Sequence, residues 1–184
     1  MTLIDETVPV PPMSPIEYER TVRAWVDAAA GHELVDYHSS HQEVMTGSDG
    51  QYEIDVVARF SAFGGAQFVV LIECKRYNVK VKREVVQTLI AKLQSTGAHK
   101  GMIFSTSGFQ SGAIEVAQAH GIALIQLASG RTSWLAKSRA RDSAPLPDDI
   151  DSVVGWLLSK DSASLVSSSA ADSLRAALSF TTDD

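Results

Sequence analysis

With 184 residues, of which 45% are hydrophobic and 21% charged, the chain can build one domain with a real core plus a short appendage, and its single cysteine, Cys74, excludes an intramolecular disulfide or a multi-cysteine zinc site. The longest uninterrupted apolar run, Phe68 to Ile72, is too short to cross a bilayer, and no basic flank followed by an apolar stretch opens the chain, so the cytoplasm is the expected compartment. A net charge of -6 argues against a polyanionic partner until it is divided: residues 1–58 carry -9, residues 59–141 carry +9 and residues 142–184 carry -6, so a basic surface is hidden in the total.

Residues 1–13, with Pro9, Pro11 and Pro12 and no periodicity, are expected to form a flexible arm. Ser14-Pro15-Ile16-Glu17 then opens a helix: serine at the N-cap, proline at the first helical position and glutamate closing a capping box. Tyr18, Val22, Trp25, Val26 and Ala29 form its apolar stripe, Glu19 sits at the stripe's edge, and Gly31 ends the helix. Leu34 to Val44 reads as an irregular strand and Met45 to Gln51 as a loop. His38 and His41 have no further ligand near them in sequence and read as loop histidines.

Tyr52 to Phe60 and Phe68 to Lys75 are rich in β-branched and aromatic residues on either side of Gly64-Gly65, the pattern of an antiparallel hairpin. Side chains alternate along a strand, so Glu73 and Lys75 share a face that Cys74 does not. A three-residue turn centred on Gly64 sets Asp55 across from Glu73. A two-residue Gly64-Gly65 turn would send them to opposite faces. The reading adopted is the odd loop length, or a bulge that restores it, because charges inside apolar strands are costly to dehydrate unless paired or bound to an ion.

Five of the nine residues from Lys75 to Arg83 are basic. Arg83 to Thr96 has helical spacing, stopped by Gly97; Lys100 to Thr106 is a buried-type strand, Phe109 to His120 a helix and Ile122 to Leu127 another strand. This order predicts parallel crossovers beside the hairpin, in a mixed sheet with helices on both faces. Ser105-Thr106-Ser107-Gly108 lacks any nucleophile-elbow or phosphate-loop pattern; it is expected to cap the next helix, with Ser107 in reach of a backbone phosphate. Arg131 to Ala140 suggests one more short helix. Beyond Pro145 and Pro147 the chain turns acidic and Ser/Ala-rich, and Ile150, Val153, Val154, Leu157 and Leu158, then Leu174, Ala177 and Leu178, are spaced for two short helices joined by residues 162–169. The expected organisation is an arm (1–13), one domain (14–140) and a tail (141–184).

Two carboxylates on adjacent strands, the backbone carbonyl of Cys74 between them and a lysine two positions on make an oxygen-rich site suited to Mg²⁺, with Mn²⁺ as a substitute. Lys75 is placed to hold an attacking water and stabilise developing negative charge, and Glu19 to reach the ion through water. Arg76, Lys80, Lys82 and Arg83 directly follow this site, where their charge would attract the phosphates of a polyanion.

Asp55, followed after 17 residues by Glu73-Cys74-Lys75, with Glu19 on the first helix, resembles the PD-(D/E)XK nuclease superfamily. More narrowly, Ile72-Glu73-Cys74-Lys75-Arg76-Tyr77, then Val85-Val86-Gln87, then Lys100 to Phe109 with Gly112-Ala113, and finally Gly121 to Ile125, is similar to the Mrr-type restriction endonuclease domain over residues 14 to 127. The resemblance implies a restriction-endonuclease-like α/β fold (α-β-β-β-α-β-α-β core) and a Mg²⁺-dependent DNA endonuclease. It implies Asp55 and Glu73 as ligands, Lys75 as catalytic lysine, Glu19 as auxiliary acid and Gln87 as a supporting polar residue. Ser48 to Glu53 keeps only part of the Gly-rich loop that many such domains carry before the aspartate. Cutting both strands of a duplex would take a homodimer. The alternatives are a catalytically weak DNA-binding or assembly module of the same fold, and a repair or junction nuclease.

Overall fold

The computed structural model describes residues 12–30, 34–129, 153–160 and 163–166. Helix α1 (Pro15–Ala30) begins with the reciprocal cap that its sequence predicts: the Ser14 backbone N–H donates to Glu17 Oε2 at 2.6 Å, and the Glu17 N–H to Ser14 Oγ at 3.2 Å. Strands β1 (Val35–Thr46), β2 (Gln51–Ala62) and β3 (Ala66–Lys75) follow as an antiparallel meander. Helix α2 (Arg83–Thr96), strand β4 (Lys100–Ser105), helix α3 (Ser111–Ala119) and strand β5 (Ala123–Ser129) add two parallel crossovers, and β6 (Val153–Leu158) and β7 (Ala163–Val166) return to antiparallel pairing. The seven strands lie in the sheet in chain order. This is the mixed sheet with helices on both faces that the sequence predicts.

The strands' alternation splits the core in two. On one face Val56, Ala58, Val70, Ile72, Met102 and Phe104 pack beneath Tyr18, Val22, Trp25 and Val26 of α1, with the Trp25 and Phe104 rings edge to face at 5.4 Å. On the other, Val57, Leu71, Ile103 and Leu124 meet Val86 and Leu89 of α2 and Ala113, Val116 and Ala117 of α3. Each fully buried aliphatic side chain contributes about 1.5–3 kcal/mol, so these two layers hold the sheet rigid beneath whatever projects from its edges.

The hairpin turn has three residues. Ala62 pairs with Ala66, the Gly65 N–H reaches the Ala62 carbonyl at 3.1 Å, and Phe63, Gly64 and Gly65 all have positive φ. That odd length sets the register Val56↔Ile72, the last pair of the ladder, with Asp55 and Glu73 next along their strands.

Several expectations are corrected. The described part of the stripe expected as a helix is extended: Val153–Leu158 is strand β6, because β5 presents an unpaired edge and the ladder from Leu124↔Leu158 to Ser129↔Val153 satisfies it, while Ile150 lies outside the described residues. Part of the supposed serine-rich link forms β7 against β6. His38 and His41 lie in β1, paired with Arg59 and Val56, not in a loop. Ser107 does not cap α3, which starts at Ser111 behind Gln110 with no side-chain cap. The helices expected over 131–140 and around Leu174, and all but the end of the N-terminal arm, lie outside the described residues.

Candidate active site

The ladder between β2 and β3 stops at Val56↔Ile72, and the next pair is held differently. The Cys74 N–H donates to the side chain of Asp55, reaching Oδ2 at 2.6 Å. Here a carboxylate does the work of a backbone carbonyl, and alternation along β2 breaks at the same point: Ile54 packs in the α2/α3 layer although Val56, two residues on, packs under α1. Asp55 is thereby fixed at the mouth of the opened hairpin.

Glu73 and Lys75 leave β3 on the same face as Asp55. Lys75 Nζ lies 2.7 Å from Glu73 Oε2 and 4.0 Å from Asp55 Oδ2, so one ammonium bridges both acids. The Glu73 side chain is 8% exposed, and its other oxygen, Oε1, takes a second ammonium, Lys92 Nζ of α2, at 2.5 Å. The same amine donates to the Glu53 carbonyl at 3.1 Å. Glu19, on α1, is held by His41 Nε2 at 2.7 Å and Gln42 Nε2 at 3.2 Å, where Gln42 adopts a left-handed φ of 52° in mid-strand. Such a conformation costs on the order of 1 kcal/mol for a residue other than glycine.

Electrostatics divide the acids from the base. Burial pushes the Asp55 carboxyl up; the Cys74 N–H opposes this, and the charges of Glu73 and Glu19 add to it over the pull of Lys75. Burial alone would lower Lys75, but the charge and hydrogen bond of Glu73 outweigh it and raise the amine, which is an ammonium at neutral pH. Burial drives the Cys74 thiol well above its usual range, leaving it inert beside the α1 core layer.

The structure thus brings Asp55, Glu73 and Lys75 together, with Glu19 near enough for its charge to act on Asp55. It does not bring in Gln87, which is exposed on α2 and holds no hydrogen bond to this cluster. Lys92 takes the place on that helix, missed because an isolated lysine beside an apolar stripe carries no motif. Arg76, Lys80, Lys82 and Arg83 are all exposed on the segment that leaves the site. Ser107 is 7% exposed and its hydroxyl donates to the Val79 carbonyl at 2.6 Å, while Thr106 Oγ1 donates to the Tyr77 carbonyl at 3.0 Å. Further bonds from the Val81 N–H to the Gly108 carbonyl and from the Gln110 N–H to the Val81 carbonyl complete the clamp on the basic segment.

Among the described residues, no group of three or more His, Cys, Asp or Glu side chains could by itself hold a metal ion. The donor set nonetheless suits a hard divalent cation of the Mg²⁺ type. Such an ion takes one or two carboxylates from the protein and fills its remaining positions with water and substrate oxygens. Two converging carboxylates, Glu73 paired with two ammoniums and Asp55 only distantly with one, offer that arrangement.

A mixed sheet opened at the end of a hairpin, with an Asp and a Glu-x-Lys flanking the opening, defines a restriction-endonuclease-type α/β domain. The restriction endonuclease family Mrr_cat matches residues 12–130, and the chain belongs to that family. A crystal structure described as a protein of unknown function, AF1548, shares the fold: 22% identity and a TM-score of 0.50, with 60% of this chain aligned to 57% of that one. The chain therefore spans somewhat more than half the length of that relative. No curated protein matches. No helix among the described residues is long and apolar enough to cross a membrane.

Proposed function

We propose that the protein is a Mg²⁺-dependent deoxyribonuclease that hydrolyses phosphodiester bonds with an activated water. The observation that carries the reading is the convergence of Asp55, Glu73 and Lys75, from two strands, at the one place where their ladder ends. Family membership supports the nuclease class. Asp55 and Glu73, with the Cys74 carbonyl, would hold the ion. When bound, that ion would supply Lewis-acid polarisation of a phosphoryl oxygen and lower the pKa of a water.

The chain's own residues do the rest. Lys75, protonated at neutral pH, donates hydrogen bonds to the attacking water and to charge developing on the phosphate. Glu19, anchored by His41 and Gln42, adds negative charge near Asp55 without sharing its strand. Arg76, Lys80, Lys82 and Arg83 neutralise backbone phosphates on the way into the site, and the bonds from Ser107 and Thr106 keep that segment from collapsing. Two such sites facing one duplex would cut both strands, so the proposal extends to a homodimer.

Nicking of supercoiled DNA with Mg²⁺, or with Mn²⁺ in its place, by the unmutated protein and by Asp55→Ala and Lys75→Ala variants tests the reading. Loss of cutting with DNA affinity kept supports it. A parent protein that binds DNA but never cuts it, in either metal, replaces it with the second reading, a binding or assembly module that keeps the fold. A panel of linear, methylated, nicked and branched DNAs separates restriction from repair or junction cleavage. Lys80→Ala with Lys82→Ala should weaken binding to every DNA in the panel alike and flatten its salt dependence by about two counterions.

A further inference from the structure

Lys92 is a second lysine at the site, contributed by a helix and outside the Asp…Glu-x-Lys pattern. It sits three residues after the buried Leu89 on α2, at the flank of the stripe that packs on the sheet, and its side chain is only 15% exposed. Its amine makes two contacts. One is to Glu73 Oε1 at 2.5 Å, on the oxygen that Lys75 does not use; the other is to the Glu53 carbonyl at 3.1 Å, on the stretch of β2 that has left the β3 ladder. Lys92 therefore ties the opened strand to Glu73 and fills one side of its carboxylate with a positive charge.

We propose that Lys92 is a positioning residue that serves as a built-in counter-cation: it orients Glu73 in the metal-free protein and competes with a divalent ion for that carboxylate. This rests on the reading of Asp55 and Glu73 as metal ligands. The physical reason is charge balance. A nearly buried carboxylate needs a cationic partner in the folded chain, and Lys92 and Lys75 both supply it. When a divalent ion arrives, the site holds two ammoniums and two positive charges of metal against Asp55, Glu73 and the nearby Glu19. The ammonium least needed for chemistry is then Lys92, which repels the ion from a few ångströms away. A site built in this way stays folded without metal and takes metal weakly, leaving the substrate's own phosphate charge to complete the binding.

The test is titration of the full-length protein with Mn²⁺ alone, followed by calorimetry and by the electron paramagnetic resonance signal of the free ion. Lys92→Met should bind Mn²⁺ about tenfold more tightly, or better, because a unit charge a few ångströms away in a half-buried site is removed. Lys92→Arg, which keeps the charge, should stay near the parent affinity. Lys92→Gln, able to keep the bond to the Glu53 carbonyl, carries the same expectation if the methionine variant does not fold. Without metal, the neutral variants should melt lower than the parent, and saturating Mn²⁺ should raise their melting temperature more than the parent's. Equal or weaker Mn²⁺ affinity in the neutral variants overturns the role given to Lys92 while leaving the metal site standing. Absence of Mn²⁺ binding in the parent and in every variant overturns both.

Discussion

Strand β2 carries two acid–base clusters that look alike in sequence and behave oppositely. Near its middle, Arg59 meets Glu43 of β1 through two parallel bonds, Nη1 to Oε2 at 2.9 Å and Nη2 to Oε1 at 2.5 Å, and Ser40 adds its hydroxyl to the same carboxylate. The Arg59 hydrogen bonds hold the Glu43 carboxyl below its usual range, against the opposing effect of partial burial. Nearer the strand's start, just beyond the last β3 pair, Asp55 has only a distant share of Lys75 and one backbone N–H, and burial holds its carboxyl above the usual range. One acid is satisfied as an anion; the other is held under-compensated. A matched side-chain pair serves stability, whereas an acid left wanting a cation where the ladder ends is what a metal site needs.

The contrast can be broken most forcefully through chemistry. Asp55→Ala, Glu73→Gln or Lys75→Met should each lower the rate of Mg²⁺-dependent nicking by about a thousandfold or more in single-turnover assays. Glu43→Gln, which removes one negative charge from the neighbouring strand β1, should leave that rate within a few-fold. A similar collapse for both sets would erase the distinction.

Next in size is the stability of the matched pair. Glu43→Ala should destabilise the fold by about 1 kcal/mol, discounted from a fully buried pair because both side chains are about a quarter exposed. Because Glu43 titrates lower in the folded than in the unfolded state, its contribution is complete above the unfolded carboxyl range and is lost as pH falls through the folded value. Urea denaturation of parent and variant should therefore converge in acid.

The smallest expected effect has the opposite sign. Asp55 titrates higher in the folded state, so it favours folding only while protonated and opposes it once pH has risen through the folded value. Asp55→Asn, which can still accept the Cys74 N–H, should raise the melting temperature of the metal-free protein at neutral pH, and the gain should vanish in acid. A destabilised asparagine variant at neutral pH would show that Asp55 is satisfied as an anion, like Glu43. Adding Mn²⁺ should favour the parent and reverse the order.

Much of the candidate site is legible in the sequence, for a reason local to the chain. Strand alternation placed Glu73 and Lys75 on one face, and the cost of dehydrating unpaired charges favoured the odd turn length, which the three residues Phe63-Gly64-Gly65 adopt. Ser14 and Glu17 announced their own cap in the same way. These signals act over a few residues or through one ladder, and sequence spacing records such relations directly.

What the chain could not announce came from contacts between distant elements. Lys92 reaches Glu73 only because α2 packs with Val86 and Leu89 inward and that rotation aims its flank at the opened hairpin. His41 meets Glu19 because β1 runs beside β2 under α1, a pairing between a polar strand and a helix that no periodicity encodes. Val153 to Leu158 extended into β6 because β5 had an edge to offer, which overrode a helical pattern of apolar residues. The sequence by itself determined which groups carry charge and how neighbours alternate. The tertiary structure decided which charges lack partners, because desolvation and counter-charge depend on everything packed around a group.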